Sequence, residues 1–239
     1  IPNNYFIGGS TGPDSAGLLF DGIASGYGPG TATYEWNGSA WTAGGEIPAA
    51  GPGGNSYTSG AGVLTAALSI GGRGDPPPAG ETRVLDYNGS SWTTGTSTPA
   101  ATYGAAADGP NAATWMGGGS GTPTQPTNSF EWDSSSWTTS GTIGTALPQG
   151  IQAQGWGPQT AGIIAGGTSS APTSTIVQLY DGATWSVGAS MSQTRINSAM
   201  SSQSAGTQTG FVVGAYPPAI DATENFDAAA VAVQTITVS

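Results

Sequence analysis

The chain has 239 residues, of which only 7% are charged, and 14 acidic residues against three basic ones give a formal net charge of −11. Such an excess of negative charge repels a phosphate backbone, so we expect no nucleic-acid binding. The sequence contains no Cys, which excludes a disulfide scaffold and thiolate metal sites, and no apolar run reaches the roughly 18–20 residues that cross a bilayer, so no membrane insertion is expected.

An aromatic doublet, two residues five positions apart, recurs along the chain. In chain order the copies are Trp36 and Trp41, Tyr87 and Trp92, Trp132 and Trp137, Tyr180 and Trp185, and a degenerate copy with Phe226 and Val231. The copies repeat every roughly 40–50 residues, a period typical of β-propellers built from short strands. Asn-Gly or Asp-Gly within three of the doublets favours a type I′ hairpin turn with positive φ angles.

In each repeat, two further segments precede the doublet at similar positions. The nearer one is apolar and in most copies ends in glycine, as in 67–72 and 163–167, and before it lies a segment of small residues such as 103–107. No stretch shows the period of a capped helix. We therefore predict an all-β chain that forms a single five-bladed β-propeller over 1–239, with four antiparallel strands per blade. The blades are expected at approximately 1–50, 51–100, 101–146, 147–193 and 194–239.

This order of segments resembles the kelch repeat, in five copies that span the chain. Thr194-Arg195, at the junction of the fourth and fifth repeats, resembles the Arg that follows the Trp strand in kelch repeats. The segment 88–95, Asn-Gly-Ser-Ser-Trp-Thr-Thr-Gly, and the scarcity of charge are similar to kelch-like propellers in tail and other structural proteins of bacteriophages, especially marine and cyanobacterial ones. The resemblance implies a kelch-like propeller in a virion.

The composition argues against enzymatic chemistry, and we expect no enzyme, no cofactor and no metal site. Without His or Lys, neither a Ser-His-Asp triad nor a Schiff-base Lys can form, and the copper-radical oxidases on kelch-like propellers need Cys and His. Glu35, Asp86 and Glu131 occupy equivalent positions of different repeats and are expected far apart rather than as an acid pair. Asp133 is a single carboxylate in its turn, too few oxygen ligands for calcium, although calcium between loops stays open.

The connection after each apolar strand contains Pro in all five repeats, whereas the aromatic hairpins are short. In a four-stranded meander the Pro-bearing loops lie on the same side as the blade connectors, and we call this side the loop face. The aromatic hairpins lie on the opposite side, the hairpin face. We predict that the loop face is the interaction surface, since Pro lowers the entropy lost on binding. The alternative is that these prolines only protect exposed loops and edges.

The doublets have two interpretations, a hydrophobic wedge between blades or a series of sugar-stacking platforms, and their strict repetition favours the wedge. The candidate ligand-binding residues are the aromatic residues that break the repeat, Tyr27, Trp156 and Tyr216. Arg73-Gly74-Asp75 matches the integrin-binding tripeptide, a match that such short motifs often give by chance.

The leading hypothesis is a non-enzymatic structural or adhesion module of an extracellular assembly, a phage virion or tail-fibre component that presents its loop face. Its partners would be a host-surface glycan, other virion or assembly proteins, or further copies of the same chain. Two alternatives stay open: a secreted lectin-like propeller with one sugar site per blade, and a carboxylate-dependent glycan-cleaving enzyme. Repeated aromatic residues on the loop face would favour the first, and two carboxylates about 5–10 Å apart in a cleft the second.

Overall fold

In a computed structural model the chain forms five four-stranded antiparallel sheets, arranged as the blades of a propeller. The predicted fold class is therefore confirmed. The structure describes residues 8–22, 30–48, 56–73, 80–120, 127–144, 153–167, 174–202, 209–214, 222–227 and 234–236. Within these ranges the only helix is a 3₁₀ turn at Asn111–Ala113 in blade 3.

Each blade contains four strands that are consecutive in the chain. Blade 1 has β1 (Gly9–Thr11), β2 (Leu18–Phe20), β3 (Thr33–Trp36) and β4 (Trp41–Ala43). Blade 2 has β5 (Ser59–Val63), β6 (Ala66–Ile70), β7 (Val84–Tyr87) and β8 (Trp92–Thr94). Blade 3 has β9 (Ala106–Asp108), β10 (Trp115–Gly117), β11 (Asn128–Trp132) and β12 (Trp137–Thr142). Blade 4 has β13 (Gln154–Trp156), β14 (Ile163–Ala165), β15 (Val177–Tyr180) and β16 (Trp185–Val187). Blade 5 has β17 (Ala199–Ser202), β18 (Thr209–Val213), β19 (Thr223–Asp227) and β20 (Gln234–Ile236).

Every blade is a simple antiparallel meander, because consecutive strands are neighbours in each sheet. No described sheet combines a strand from the beginning of the chain with strands from its end. The alternating strand directions place the connection between the second and third strands on the loop face, together with the connectors between blades. The Pro-bearing parts of these loops, 23–29, 74–79, 121–126, 168–173 and 215–221, lie outside the described residues.

The first strand of each blade lies nearest the propeller axis and contacts the first strand of the next blade, from β1 on β5 to β13 on β17. Small residues permit this approach, since a Cβ on Gly60 would clash with the carbonyl oxygen of Ser10 in the neighbouring blade. Between the described strands β17 and β1 there is no contact of similar extent. Among the described strands, this close approach of first strands is therefore seen at four of the five junctions.

A glycine pair ends the second strand of blade 2 in a left-handed turn. Gly71 and Gly72 have φ angles of 66° and 123°, which residues with a Cβ rarely adopt. The N–H of Gly72 donates to the carbonyl of Thr102 at 3.0 Å. The pair thus joins the loop-face end of blade 2 to the connector that leads to blade 3.

The aromatic hairpins are closed by a side-chain acceptor. In the first, the Asn37 side-chain oxygen accepts the N–H groups of Ser39 and Ala40, at 3.0 and 2.9 Å. Gly38 has a positive φ of 89°, but Ser39 does not. The predicted type I′ turn is therefore wrong, because that turn needs positive φ at both central residues, and the bond from Asn37 holds Ser39 outside that region. A positive φ at the first central residue alone is the pattern of a type II′ turn.

The doublets of blades 2 and 4 fill the wedge between blades, which confirms for them the interpretation favoured by their repetition. Tyr87 and Trp92 lie 4.8 Å apart between ring centroids, and Trp92 packs on Phe20 of blade 1 at 5.0 Å. The indole N–H of Trp92 donates to the hydroxyl of Thr33 in blade 1 at 2.8 Å. The indole of Trp185 forms the equivalent bond to a serine of blade 3. Each of these doublets is therefore joined to the preceding blade.

The doublet of blade 1 is less enclosed than the others. Trp41 is 37% exposed, whereas its counterpart Trp92 is 5% exposed. Trp41 contacts the ring of Trp36 at 5.5 Å. Val231, which replaces Trp in the fifth doublet, lies outside the described residues.

Candidate functional site

Of the three predicted ligand-binding residues, only Trp156 lies within the described residues, and its prediction is wrong. Trp156 is 3% exposed, ends β13 on the hairpin side, and packs edge-to-face on Phe226 of blade 5 at 6.4 Å between centroids. A ring enclosed in this way cannot present its face to a sugar. Tyr27 and Tyr216 lie outside the described residues.

The carboxylates that precede the first aromatic residue of a blade join neighbouring blades. Glu35 of blade 1 accepts a hydrogen bond from the hydroxyl of Tyr87 in blade 2. Glu131 of blade 3 accepts one from the hydroxyl of Tyr180 in blade 4, at 2.7 Å. Burial, together with the carboxylate at the hydroxyl, raises the pKa of each tyrosine to about 12. These two glutamates thus act as structural acceptors and not as an acid pair.

At the second and fourth junctions, the residue at the same position contacts a different kind of neighbour. Trp132 of blade 3 has no hydroxyl, and Asp86 of blade 2 accepts instead from the side-chain amide of Asn111 at 3.5 Å. Burial raises the pKa of Asp86, and the bond from Asn111 opposes that shift. At the fourth junction Leu179 packs in the cluster that contains Phe226. Polar residues therefore face hydroxyl or amide groups, and an apolar residue faces an apolar ring.

Arg195 ties the connector between blades 4 and 5 to the fifth sheet. Its side chain is fully buried and its Nη2 lies 2.9 Å from a carboxylate oxygen of Glu224, which is 1% exposed. The other Glu224 oxygen accepts the N–H of Ser192 at 2.7 Å. A second guanidinium nitrogen of Arg195 donates to the carbonyl of Gly214 at 2.7 Å. This Arg serves the packing of blades and is not accessible to a ligand.

Thr102 takes the place of Arg195 in the connector between blades 2 and 3. The two residues are equivalent because the carbonyl of each accepts the N–H of the second glycine in the preceding Gly-Gly pair. Thr102 donates its hydroxyl to the carbonyl of Gly118 at 3.4 Å, as Arg195 donates to Gly214. Both connectors therefore reach the left-handed glycine that follows the second strand of the next blade, by side chains of different length.

Two tyrosines and an arginine meet at the loop-face ends of the inner strands of blades 2 and 3. Tyr57 precedes β5 and Tyr103 precedes β9, and their rings pack edge-to-face at 5.9 Å between centroids. The guanidinium carbon of Arg73, which follows the Gly pair after β6, lies 6.0 Å from the centroid of the Tyr103 ring. All three side chains are half-buried. We call this group the Arg73 cluster.

The backbone of the cluster is unusual at Tyr57, whose φ is 59°. The equivalent residues of blades 3 and 5 are Gly104 and Asn197, with φ angles of 62° and 51°. Glycine and asparagine are the residues that adopt this region most easily, whereas a bulky side chain there is strained. Strain of this kind is concentrated at functional sites. The tyrosine ring is therefore placed at the loop face against the local preference of the backbone.

Arg73 is also the basic residue with the fewest partners. Arg195 is ion-paired with Glu224, and Arg83 donates one guanidinium nitrogen to the carbonyl of Pro48, although its Nη1 is buried without a partner among the described residues. Arg73 forms no ion pair with a described residue, and its Nε is buried without a hydrogen-bond acceptor. In a chain with a net charge of −11, this guanidinium is a local positive charge without an ion pair among the described residues.

Sequence reasoning missed the Arg73 cluster for two reasons. In the sequence Arg73 is part of a tripeptide that often matches by chance. Tyr57 and Tyr103 belong to different repeats and become neighbours only when the blades pack. A repeat alignment that compared Tyr57 with Gly104 and Asn197 could have identified the odd residue. The cluster is not repeated in the described parts of the other blades, where no second Tyr pair packs with an Arg.

No family model matches the chain, and no curated protein matches it. Across the described ranges, no group of three or more acidic residues is arranged to hold a metal ion. No described helix has the length and apolar character needed to span a membrane. The functional proposal therefore depends on the chemistry of the loop face.

Proposed function

We propose that the protein is a non-enzymatic recognition module of an extracellular assembly, and that it presents its loop face to a glycan or a neighbouring protein. The observation that carries this proposal is the Arg73 cluster. Its rings and guanidinium are half-buried at the loop face, whereas Arg195 and the aromatic doublets of blades 2 and 3 are buried in blade packing. Tyrosine rings offer an apolar surface with a polar edge, and a guanidinium offers fixed donors, which together suit a sugar.

The difference between the hairpin face and the loop face supports the same proposal. The hairpin face ends in short turns held by their own Asn or Asp side chains, which leaves few groups for a ligand. The loop face carries Pro-bearing loops in all five repeats. We propose a bacteriophage virion as the assembly, supported by the resemblance of the 88–95 segment and by the low content of charged residues.

A glycan array followed by calorimetry tests this proposal. We expect binding with one site per chain, because the Arg73 cluster occurs at one junction among the described residues. Arg73→Gln should weaken this binding, and Arg83→Gln is the matched control because it removes the same charge from an arginine that no described ring covers. Saturation at five sites per chain would instead support the lectin with one site per blade. Absence of binding to every glycan would refute the glycan-binding form of the proposal.

A further inference from the structure

We propose that the Arg73 cluster recognises the carboxylate of an acidic sugar, such as a uronic or sialic acid residue of a glycan. The inference rests on the proposed function and names its ligand class. A carboxylate is the group that matches the planar fork of a guanidinium with two parallel hydrogen bonds. Arg73 forms no ion pair with a described residue, and its Nε is buried, so a carboxylate would bind at the two terminal nitrogens of the guanidinium.

The aromatic rings hold the guanidinium in place for this contact. The Tyr103 ring lies 6.0 Å from the Arg73 Cζ, within the range of a cation–π contact. Tyr57 packs edge-to-face on Tyr103 at 5.9 Å and thereby restricts that ring. A guanidinium positioned by neighbouring groups loses less freedom on binding than a free surface side chain.

Tyr57, whose backbone φ is positive, would supply the apolar part of the site. Tyr57 keeps a φ of 59° where blade 3 has glycine, so its ring is the feature that distinguishes this junction. A ring beside a guanidinium provides an apolar contact for the C–H groups of a pyranose while the Arg holds the carboxylate. The two tyrosines and Arg73 therefore match two adjacent features of one sugar ring.

The net charge of −11 does not oppose this assignment at physiological ionic strength. Charges on the surface are largely screened beyond about 8 Å at 0.15 M salt. Binding of an anion then depends on the charged groups close to it and not on the net charge of the chain. Arg73 supplies that local charge, because no carboxylate of a described residue lies within ion-pairing distance of it.

The test is an array that carries glycans with uronic and sialic acids beside the same glycans after chemical reduction of their carboxyl groups. We expect the wild-type protein to bind acidic glycans, and to bind the reduced forms about tenfold to a hundredfold more weakly, as for loss of one charge-assisted hydrogen-bonded contact. Arg73→Gln should remove this discrimination and Arg83→Gln should keep it.

A second variant separates binding from folding. Tyr57→Gly removes the ring and installs the residue that blade 3 has at this position, so it should fold like the wild type and still lose affinity. Two results would overturn this inference and still support glycan binding. One is equal affinity for acidic and reduced glycans, and the other is an equal loss of affinity for acidic glycans in Arg73→Gln and Arg83→Gln. Absence of binding to any glycan would overturn both.

Discussion

Replacing Arg195 by Thr is expected to lower the free energy of unfolding by about 3 kcal/mol. Arg195 is fully buried and donates twice to one oxygen of Glu224, at 3.2 and 2.9 Å, and once to Gly214 at 2.7 Å. Removing one partner of a buried ion pair costs about 3–5 kcal/mol, because the other charge stays buried. The Thr hydroxyl returns about 1 kcal/mol if it bonds Gly214, as Thr102 bonds Gly118.

Urea unfolding followed by Trp fluorescence measures this change, and a fall in melting temperature of about 6–12 °C should accompany it. The chain offers its own rescue, since blade 3 combines Thr102 with Phe130 where blade 5 combines Arg195 with Glu224. Glu224→Phe alone leaves a buried guanidinium unpaired, but Arg195→Thr with Glu224→Phe should recover more than half of the loss. A single-variant loss below about 1 kcal/mol, or a double-variant loss equal to the sum of both, would refute the reasoning.

Three further predictions concern the bonds within and between blades. Tyr180→Phe should lower stability by about 1.5–3 kcal/mol because Glu131 loses the hydroxyl it accepts, while the loop-face control Tyr103→Phe should leave urea unfolding unchanged. Tyr87 and Tyr180 have a pKa raised from 10.0 to about 12, so their contribution is complete below pH 10 and is lost as the pH rises through about 12. Ultraviolet titration should show these two residues ionising last, and ionisation with the other tyrosines would contradict the bonding. Hydrogen bonds from Ser135 and Ser136 lower the pKa of Asp133 to about 2, so its contribution is present above its unfolded value and is lost as the pH falls through about 2. Ser135→Ala should raise that pKa in a carboxyl NMR titration; an unchanged value would rule out the serine as its cause.

The fold could be predicted from the sequence because the doublets repeat at a propeller period and three of them contain an Asn-Gly or Asp-Gly turn signal. The turn geometry could not, since Asn37 bonds two N–H groups of its own turn and thereby selects the φ of Ser39. Trp156 was misjudged because a residue that breaks the repeat was assumed to be exposed. It breaks the repeat for a packing reason, as its ring fills the space beside Phe226.

The candidate site could be located only in part from the sequence. The loop face was predicted from the Pro-bearing connections, and Arg73 lies at the edge of one of them. Tyr57 and Tyr103 carried no motif, and their proximity depends on the packing of blade 3 on blade 2. The positive φ of Tyr57 is a property of the folded backbone that a tyrosine does not signal.

The residue before each first aromatic varies among blades 1 to 4 and contacts the next blade, so these contacts favour the native order of the blades. Exchanging blades 2 and 4 would keep both Glu–Tyr pairs but would place the carboxylate of Asp86 against Phe226 and Leu179 beside Trp132. A partly buried carboxylate that loses its hydrogen-bond donor and faces an apolar ring is unfavourable, so the shuffled ring would be less stable although its repeats have the same architecture. Near-identical modules in one chain are liable to dock in the wrong sequence while they fold, and these contacts discriminate against such misdocked rings.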